Sequence, residues 1–395
     1  MQRSDILAAI GIIAEFNPLH SGHARLIAEA ARLGDVVCVM SGNFVQRGDA
    51  AIAEKHIRAK AALLAGADLV IDLPVYWAMS TAQNFALGGV SLLAAAGCRT
   101  LIFGSECGDI SKLSAACGVL GSEIFRERLA SELKKGVTFA AARDSAAASA
   151  GLERGILDLP NNNLGIEYML AAKRLGLDIE FLTVRREGAG HDSDKVFGNY
   201  ASGSLLREKL KAGDMNFAAR YMPESVLPLF RKENLADIKR LERAVLATLR
   251  VRRTEELARL PDISEGIENK LFSAIKLATG LEELYNMIKT KRYTHARVRR
   301  LVLSAFLGLD SSFFLKTPPY LRVLGFSRSG GELLRKVAAE SPVPVILRAA
   351  EINSLPEEAR RVFEAECRAA DLFALALENP PACGSEYTAK LIKTE

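Results

Sequence analysis

Short apolar runs rich in β-branched residues alternate with longer amphipathic segments through the first half of the chain. Five of these runs predict strands: "ILAAIGIIAEF", "DVVCVMSG", "ADLVIDLP", "RTLIFGSE" and "DIEFLTVRR". The segments between them predict helices, and Gly34, Gly66 and Pro74 stand where elements end. Apolar strands separated by helices are typical of a doubly wound, Rossmann-like α/β fold with a parallel sheet, whose ligand lies beyond the carboxyl ends of the strands.

The pattern changes at about residue 216, after which helical segments predominate. These include "ESVLPLFRKENLADIKRLERAVLATLR", "ISEGIENKLFSAIKLA" and "HARVRRLVLSAFLGL", while "VPVILRAAEI" is a late strand candidate. We therefore expect an α/β domain over residues 1–215 and a mainly α-helical domain over residues 216–395.

Composition is that of a globular protein, because 49% of the 395 residues are apolar and 25% are charged. The sequence has neither a secretory leader pattern nor an apolar run long enough to span a bilayer. Six cysteines without a CxxC pair favour free thiols in a reducing cytoplasm, which is the expected location. A net charge of +5 is compatible with a polyanionic partner without requiring one. The sequence leaves a homodimer open.

Candidate chemistry concentrates in the turn after the first strand, "FNPLHSGHARL". Two of the five histidines, His20 and His23, stand there within four residues of each other. If the next helix begins near Ser21, both imidazoles project over its N-terminus, where backbone N–H groups attract anions. They can then donate hydrogen bonds to a phosphoryl oxygen that gains negative charge in a transition state. The alternatives are a packed capping pair and a metal site, for which Glu15 is a nearby further ligand.

A second motif, "ASGSLLRE" at residues 201–208, follows the fifth strand. Hydroxyl and N–H groups that open a helix, with an arginine one turn on, suit the β- and γ-phosphates of a nucleotide. The two motifs together resemble the nucleotidylyltransferase superfamily, in which an HxGH turn binds ATP and stabilises attack on its α-phosphate. The resemblance implies that His20, His23 and Arg207 are catalytic and that Ser202 and Ser204 help to hold the departing pyrophosphate.

A longer series of segments is similar to a narrower family, the tRNA(Met) cytidine acetate ligases. These segments are "GIIAEFNPLHSGH", "MSGNFVQRGDAAIAEKHIRAKAALLAGADLVIDLP", "FGSE", "LPNNNLGIEY", "RREGAGHDS" and "TKRYTHARVRRLVLSAFLGL", in that order. The resemblance implies an enzyme that forms acetyl-adenylate from ATP and acetate and then acetylates N4 of the wobble cytidine of elongator tRNA(Met). Pyrophosphate leaves in the first step and AMP in the second, so no protein nucleophile is needed.

The same resemblance implies an ATP pocket built from four parts of the chain. These are the turn after the first strand, a glycine after the fourth strand, and one asparagine and one arginine further on. The implied residues are Ile13, Ala14, Glu15, Phe16, Asn17, Pro18, Leu19, His20, Ser21, Gly22, His23, Ala24, Arg25, Leu26, Gly104, Asn162 and Arg186. The run of three asparagines leaves open whether Asn161 or Asn162 makes the contact. Mg²⁺ would suit the triphosphate, although the sequence contains no dedicated cage of carboxylates.

Basic residues supply candidate contacts to nucleic acid. On the helix after the second strand, Lys55 and Arg58 share a face that could reach phosphate or RNA, although a solvated face explains them equally well. The segment "KTKRYTHARVRR" contains six Lys and Arg residues and no acid, and its tyrosine could stack on an unpaired base. The candidates in this segment are Lys291, Arg292, Tyr293, Arg297 and Arg300, with an ordinary solvated helix end as the alternative.

The loop "SGNFVQRGD" follows the second strand and should lie on the ligand side of the sheet. We expect its Asn43, Gln46 and Arg47 to contact substrate or the incoming nucleotide, with a merely well-packed loop as the alternative. Competing functions are a small-molecule adenylyltransferase, an acetate ligase that acts on a protein thiol, and an RNA-binding protein without catalysis. The basic helical region favours a macromolecular acceptor, and the intact motifs argue against an inactive protein.

Overall fold

The computed structural model describes residues 9–186, 198, 200–264, 266–290, 293–313 and 315–395. Lys291 and Arg292 of the basic segment, and most of "RREGAGHDS", lie outside the described residues. The strands are β1 (Ile10–Ala14), β2 (Val36–Ser41), β3 (Phe44–Val45), β4 (Asp49–Ala50), β5 (Leu69–Leu73), β6 (Thr100–Ser105), β7 (Glu180–Arg185), β8 (Leu321–Phe326), β9 (Val345–Ile346) and β10 (Ile392–Lys393).

Helices cover both faces of the sheet and most of the second half of the chain. They are α1 (Ser21–Ala31), α2 (Lys55–Leu64), α3 (Val75–Ala78), α4 (Ala82–Ala95), α5 (Ile110–Leu120), α6 (Glu123–Lys134), α7 (Phe139–Ser149), α8 (Pro160–Leu175), α9 (Gly203–Lys211), α10 (Met215–Ala219), α11 (Glu242–Arg250), α12 (Thr254–Leu257), α13 (Ile267–Leu277), α14 (Leu281–Ile288), α15 (His295–Leu307), α16 (Gly330–Glu340), α17 (Glu357–Ala374) and α18 (Ser385–Thr388). Within the described part of the chain, every helix is too short or too polar to cross a membrane.

The predicted doubly wound α/β fold is confirmed. The main sheet has the strand order β10–β8–β5–β2–β1–β6–β7, and β9 pairs with β8. Strands β5, β2, β1, β6 and β7 run parallel to one another. The chain moves outward from β1 through β2 to β5, and then returns to the other side of β1 for β6 and β7. This change of direction is the topological switch point at which open α/β sheets bind ligands.

Burial on both faces explains why the central strands are apolar throughout. In β2, Val37 and Val39 pack into the core on one face of the sheet, whereas Val36, Cys38 and Met40 pack into the core on the other. A strand covered by helices on both sides therefore has no polar alternation. All six cysteines of the chain are free.

Strands from the second half of the chain join the same sheet. Strand β8 pairs antiparallel with β5, and β9 and β10 pair parallel with β8. The strand predicted in "VPVILRAAEI" is confirmed as β9, but β8 and β10 were not expected from the sequence. Strand β8 escapes a search for apolar runs because Arg322 stands within it, although this arginine is buried. Since the sheet crosses residue 215, the division of the chain there stays a prediction.

A buried ionic cluster links the two halves of the chain. Lys55 Nζ lies 2.6 Å from Asp72 Oδ2, 3.3 Å from Glu366 Oε2 and 2.9 Å from Glu386 Oε1. Glu366 also accepts a hydrogen bond from the backbone N–H of Val75. Lys55 comes from the first half of the chain and both glutamates from the second half. The prediction that Lys55 contacts nucleic acid is therefore wrong, because its ammonium is buried among three carboxyl groups.

Arg58 also lies inside the protein rather than on a nucleic-acid face. Its side chain is fully buried, and its guanidinium donates hydrogen bonds to the backbone oxygens of Ala53, Glu15, Ser41 and Gly42. The helical spacing of Lys55 and Arg58 was right, but the shared face points into the core. A buried guanidinium needs several acceptors, and loops with unpaired carbonyl groups provide them.

We expect Glu366→Gln to flatten the pH dependence of stability. Burial raises the pKa of Glu366 to about 8, and the nearby Asp72 carboxylate adds to the effect against the attraction of Lys55. Between its ordinary value of 4.5 and about 8, this carboxyl is therefore protonated in the folded protein and ionised in the unfolded chain. The free energy of unfolding should fall as the pH rises through that window, because only the unfolded state releases the proton.

Urea unfolding at about pH 5 and about pH 8 measures this difference. Glutamine imitates the protonated carboxyl, so the variant should lose less stability across the window than the wild type. Glu364→Gln, at an exposed position of the same helix, is the matched control and should keep the wild-type difference. An equal loss in Glu366→Gln and wild type would contradict a buried protonated carboxyl.

Candidate active site

A cavity of about 650 Å³ opens at the carboxyl ends of β1, β6 and β7, where the topology predicts a ligand. Its volume is in the range of small-molecule sites. The residues that line it are Ile13, Ala14, Glu15, Phe16, Asn17, His20, Gly22, His23, Arg25, Leu26, Val45, Gln46, Arg47, Asp49, Ala82, Phe85, Phe103, Gly104, Pro160, Asn161, Asn163, Leu164, Tyr168, Val184, Arg185, Arg186, Tyr200, Ala201, Ser202, Gly203, Ser204, Arg207 and Arg299. Most of the residues expected around a nucleotide therefore surround one space.

The two histidines cap helix α1 and line the cavity at the same time. Helix α1 begins at Ser21, as the sequence predicts. The backbone N–H of Gly22 donates to His20 Nδ1 at 3.1 Å, and the backbone N–H of His20 lies 3.4 Å from His23 Nδ1. The two rings are stacked, with their centroids 3.9 Å apart. The capping pair and the cavity pair, which the sequence presented as alternatives, are thus one arrangement.

These hydrogen bonds determine which nitrogen of each ring carries the proton. A ring nitrogen that accepts from a backbone N–H must be unprotonated, so the proton of a neutral imidazole lies on Nε2. Both histidines then present an N–H donor on the side of the ring opposite the helix cap. Such donors suit an oxygen that becomes more negative during a reaction.

A strained turn holds the histidines in place. Phe16 has a φ of 45°, in the left-handed region that is unusual for a residue with a side chain. The Phe16 ring is fully buried and meets the ring of His23 edge-on, with 5.3 Å between centroids. Packing therefore maintains a backbone conformation that would otherwise relax.

The second motif meets the first directly. Ser202 caps α9, because its Oγ accepts from the backbone N–H of Leu205 at 3.2 Å, and it lies 3.0 Å from Ser204 Oγ. Arg207 Nη1 donates to the backbone oxygen of Asn17 at 2.8 Å. Two helix N-termini, hydroxyl groups and a guanidinium thus converge on the cavity although the motifs are far apart in the sequence. This combination is well suited to a polyphosphate.

On the β6 side of the cavity, the structure corrects the prediction that Asn162 contacts the ligand. Asn161 and Asn163 line the cavity, whereas Asn162 is buried behind its wall. Asn162 Oδ1 accepts from the backbone N–H groups of Glu106 and Cys107, both at 3.1 Å, and its Nδ2 donates to the backbone oxygen of Ile156 at 3.2 Å. Asn162 therefore shapes the loop after β6, and Asn161 is the better candidate for ligand contact.

Other members of the predicted nucleotide pocket stand as expected or support it from behind. Gly104 and Arg186 line the cavity side by side, and a Cβ on Gly104 would lie 3.2 Å from Arg186 Cγ. In the turn after β1, the cavity lining does not include Pro18, Leu19, Ser21 and Ala24. Arg25 Nη1 donates to Tyr200 Oη at 3.3 Å, which links α1 to a residue that the sequence did not single out.

The opposite side of the cavity is formed by the short hairpin of β3 and β4. Gln46, Arg47 and Asp49 of this hairpin line the cavity, whereas Asn43 is buried and its Oδ1 accepts from the backbone N–H of Lys55 at 2.8 Å. The hairpin packs tightly on α15, since a Cβ on Gly48 would lie 2.5 Å from the backbone nitrogen of Arg300. Helix α15 thereby reaches the active-site cavity.

Three members of the basic segment contact the protein itself. Tyr293 is buried, which rules out the predicted stacking of its ring on a base. Arg300 is buried and lies 2.8 Å from Asp262 Oδ2. Arg297 Nη2 donates to the backbone oxygen of Asp262 at 2.9 Å and to Ser264 Oγ at 2.6 Å. These three residues stabilise the start of α15.

Arg299 is the member of this segment that lines the cavity, and sequence reasoning missed it. Its guanidinium lies 5.5 Å from the centre of the Tyr285 ring and 3.8 Å from Glu282 Oε1. The signal was present in the basic run, but helical spacing does not tell which arginine turns toward a neighbouring hairpin. Among the described residues, no group of three His, Cys, Asp or Glu side chains could hold a metal ion.

Comparison with known proteins agrees with this geometry. The model of the family described as HIGH Nucleotidyl Transferase matches residues 7–386. A protein of Caldanaerobacter subterraneus subsp. tengcongensis named tRNA(Met) cytidine acetate ligase is 38% identical over 94% of this chain and 96% of its own length. One of the same name from Acetivibrio thermocellus is 34% identical over 98% of this chain and 100% of its own length.

Solved structures agree with the fold along almost the whole chain. The crystal structure of Thermotoga maritima TmcAL bound with alpha-thio ATP superposes with a TM-score of 0.89 and 26% identity, covering 98% of this chain and 100% of that one. The apo form of the same protein superposes with a TM-score of 0.90 and equal coverage.

We expect Gly22→Ala to weaken nucleotide binding. A Cβ at this position would lie 3.0 Å from Cε1 and 3.1 Å from Nδ1 of His20, so the imidazole must shift away from its cap. Loss of one such contact should reduce the affinity for a non-hydrolysable ATP analogue about tenfold, which corresponds to about 1.4 kcal/mol. Isothermal titration calorimetry measures it.

Gly118→Ala on α5 is the matched control, because an added methyl group there meets no atom within 4 Å. It should bind the analogue like the wild type. Unchanged affinity in Gly22→Ala would show that the nucleotide does not depend on the position of His20.

Proposed function

The chain belongs to the HIGH nucleotidyl transferase family and, within it, to the tRNA(Met) cytidine acetate ligases, and we propose that it activates acetate with ATP and acetylates the wobble cytidine of elongator tRNA(Met) at N4. The observation that carries this proposal is the meeting of the HxGH turn with the "SGSLLR" turn in one cavity, through the hydrogen bond from Arg207 to the backbone oxygen of Asn17. A tRNA substrate also agrees with a cytoplasmic location.

In the first step a carboxylate oxygen of acetate attacks the α-phosphorus of ATP, and pyrophosphate leaves. The Nε2–H groups of His20 and His23 are suited to stabilise the negative charge that grows on the α-phosphate. Arg207, with the hydroxyls of Ser202 and Ser204 at the N-terminus of α9, is suited to bind the departing pyrophosphate. Adenylation turns an inert carboxylate into a reactive acyl donor.

The nucleoside part of ATP has a matching wall on the β6 side. Gly104 lets the nucleotide approach the backbone, and Asn161 and Arg186 provide polar contacts beside it. The triphosphate then lies over β1, between the N-termini of α1 and α9. This orientation leaves the hairpin side of the cavity for the acceptor.

The second step transfers the acetyl group. Cytidine N4 attacks the acetyl carbonyl carbon, and AMP leaves with the electron pair of the broken C–O bond. Acetyl-adenylate is already activated, so the protein needs to orient the amine and manage its proton rather than form a covalent intermediate. Exclusion of water protects the intermediate from hydrolysis.

Magnesium would enter this site bound to the phosphates of the nucleotide. The carboxyl groups that line the cavity are Glu15 and Asp49, and the described residues form no three-ligand metal cluster. Mg²⁺ usually keeps several water ligands and binds through substrate phosphates. We therefore assign any magnesium to the triphosphate and no residue of this chain to a dedicated metal cage.

The direct test supplies ATP, radiolabelled acetate and elongator tRNA(Met) and follows the label. We expect ATP-dependent label in the tRNA, and a loss of about 100-fold in rate for His23→Ala, the size expected when one transition-state donor is removed. His56→Ala is the control. This histidine lies on α2, its Nδ1 is 3.4 Å from Glu54 Oε1, and it is not part of the cavity lining.

Other destinations of the label separate the competing functions. Label in protein would favour an acetate ligase that acts on a thiol. Transfer of AMP to a small molecule without any need for acetate would favour a coenzyme-forming adenylyltransferase. Either outcome would overturn the proposed acceptor.

We also expect Arg299→Ala to weaken the use of tRNA without affecting the activation of acetate. Arg299 stands on the hairpin side of the cavity, where its positive charge can bind a phosphate of the tRNA near the cytidine that is acetylated. The KM for tRNA should rise about fivefold and become less sensitive to salt, because one phosphate contact is lost. Acetate-dependent exchange of pyrophosphate into ATP should stay unchanged.

Arg335→Ala is the control for charge alone, because Arg335 is an exposed arginine on α16. It should leave both measurements at the wild-type level. Equal changes in KM for the two variants would mean that Arg299 acts only through the overall charge of the protein.

A further inference from the structure

Glu15 is an acidic side chain in a cavity whose lining also contains several arginines and two helix N-termini. It directly follows β1, lines the cavity and stands between the strand and the HxGH turn. A carboxylate beside a triphosphate would repel it, so a role in binding ATP does not explain this residue. A carboxylate is better suited to a ligand group that carries N–H donors or a positive charge.

The carboxyl group is turned away from the nucleotide side of the cavity. Its Oε1 accepts a hydrogen bond from the backbone N–H of Gln46 at 2.8 Å. Gln46 belongs to the hairpin after β2, whereas Gly104 and Arg186, on the proposed nucleoside side, belong to β6 and follow β7. Because β1 lies between β2 and β6 in the sheet, Glu15 faces the half of the cavity that remains for the acceptor.

The backbone fixes this orientation. Arg58 Nη1 donates to the backbone oxygen of Glu15 at 2.6 Å, and the next residue, Phe16, is buried with a φ of 45°. The main chain on either side of the carboxyl is therefore held by a buried guanidinium and by core packing. A group that moves a proton needs such fixed placement.

We propose that the Glu15 carboxylate binds the exocyclic amino group of the acceptor cytidine and takes its proton during acetyl transfer; this inference rests on the proposed function. The new bond joins N4 to the acetyl carbon, and the bond between that carbon and the AMP oxygen breaks. One N4 proton passes to Glu15, and AMP leaves as the phosphate anion. Atoms and charge balance without a further reactant.

The chemistry of cytosine requires such a group. The N4 lone pair is delocalised into the ring, so the amine is a weak nucleophile and becomes strongly acidic as it attacks. A carboxylate is also the side chain that best accepts a hydrogen bond from cytosine N4, whereas a uridine would present its O4 oxygen, which repels a carboxylate. The same group can therefore select the base and assist the reaction.

The charges around Glu15 suit proton acceptance. Burial raises the pKa of Glu15, against the hydrogen bond from Gln46 and the attraction of Arg207, Arg58 and Arg47. Tyr168 from α8 interacts electrostatically with this carboxyl, and His20 and His23 at the start of α1 line the same cavity. A raised pKa brings a carboxylate nearer to the range in which a general base works well.

Asp49 is the other carboxyl group of the cavity lining and the natural rival. Its Oδ1 accepts from the backbone N–H of Ala50 at 2.9 Å, and its charged neighbours are Arg207, Lys211 and Arg299. It therefore stands nearer to the start of α15, on the far strand of the hairpin. Glu15, unlike Asp49, directly precedes the turn that carries the two histidines.

The test separates the two halves of the reaction in Glu15→Gln. Glutamine can still accept the Gln46 hydrogen bond but cannot take a proton. Acetate-dependent exchange of labelled pyrophosphate into ATP reports the first half, and single-turnover transfer from synthetic acetyl-adenylate to an elongator tRNA(Met) transcript reports the second. We expect exchange within about threefold of wild type and transfer slower by about 100-fold, the usual size of a general-base effect.

A pH series of the transfer step adds a readout that a structural role would not affect. The wild-type rate should rise with pH until Glu15 is ionised, and this rise should be absent in Glu15→Gln. Glu29→Gln on α1, which only removes the partner of Arg32, should match the wild type in both halves.

Three outcomes overturn the inference. Equal losses in both halves would make Glu15 a structural residue, and undiminished transfer would place the base elsewhere. A selective loss of transfer in Asp49→Asn, with Glu15→Gln intact, would assign the role to Asp49. If the wild type itself performs neither exchange nor transfer, the proposed function fails as well, and that result is distinct from all three.

Discussion

The guanidinium of Arg58 is the contact on which the active-site loops depend. It donates hydrogen bonds to the backbone oxygens of Glu15, Ser41 and Gly42, and so joins the loop after β1 to the loop after β2. These carbonyl groups lie at or just beyond the ends of β1 and β2, and leaving them unpaired in the interior would be costly. The planar guanidinium has five N–H donors and can bind several carbonyl oxygens at once, which the compact ammonium of a lysine could not do in the same plane. The turn with the histidines and the hairpin opposite it are thus held at a fixed separation.

The sequence predicted the parts of the fold that follow from local pattern. Apolar runs gave β1, β2, β5, β6 and β7, and the HxGH turn placed the start of α1 at Ser21. It could not predict what depends on distant contacts. Lys55 and Arg58 looked like a basic surface because their partners, Glu366 for the first and loop carbonyls for the second, are remote in the chain or belong to the backbone. The spacing of residues along a helix shows which side chains share a face, but not which distant carboxyl group that face contacts.

The active site shows the same division. Motif residues such as His23, Ser202 and Arg207 line the cavity as expected from sequence, because their spacing is tied to a helix N-terminus. The sequence could not tell which of Asn161 and Asn162 contacts a ligand. The two residues are neighbours on one helix, and the rotation of that helix decides which side chain lines the cavity and which binds the loop behind it. Arg299 was missed for a related reason, because its position depends on how α15 docks against the β3–β4 hairpin.

The antiparallel strand β8 has a consequence for how the protein tolerates shortening. It covers β5, and the two-residue strands β9 and β10 cover β8 in turn, so the last residues of the chain close one side of the sheet. A fragment that ended at residue 215 would leave β5 with a row of unsatisfied amide and carbonyl groups, the kind of edge that recruits other chains into aggregates. We therefore do not expect residues 1–215 to be stable without the rest of the chain. The strand that covers the edge of β5 comes from residues about three hundred positions after the histidine turn.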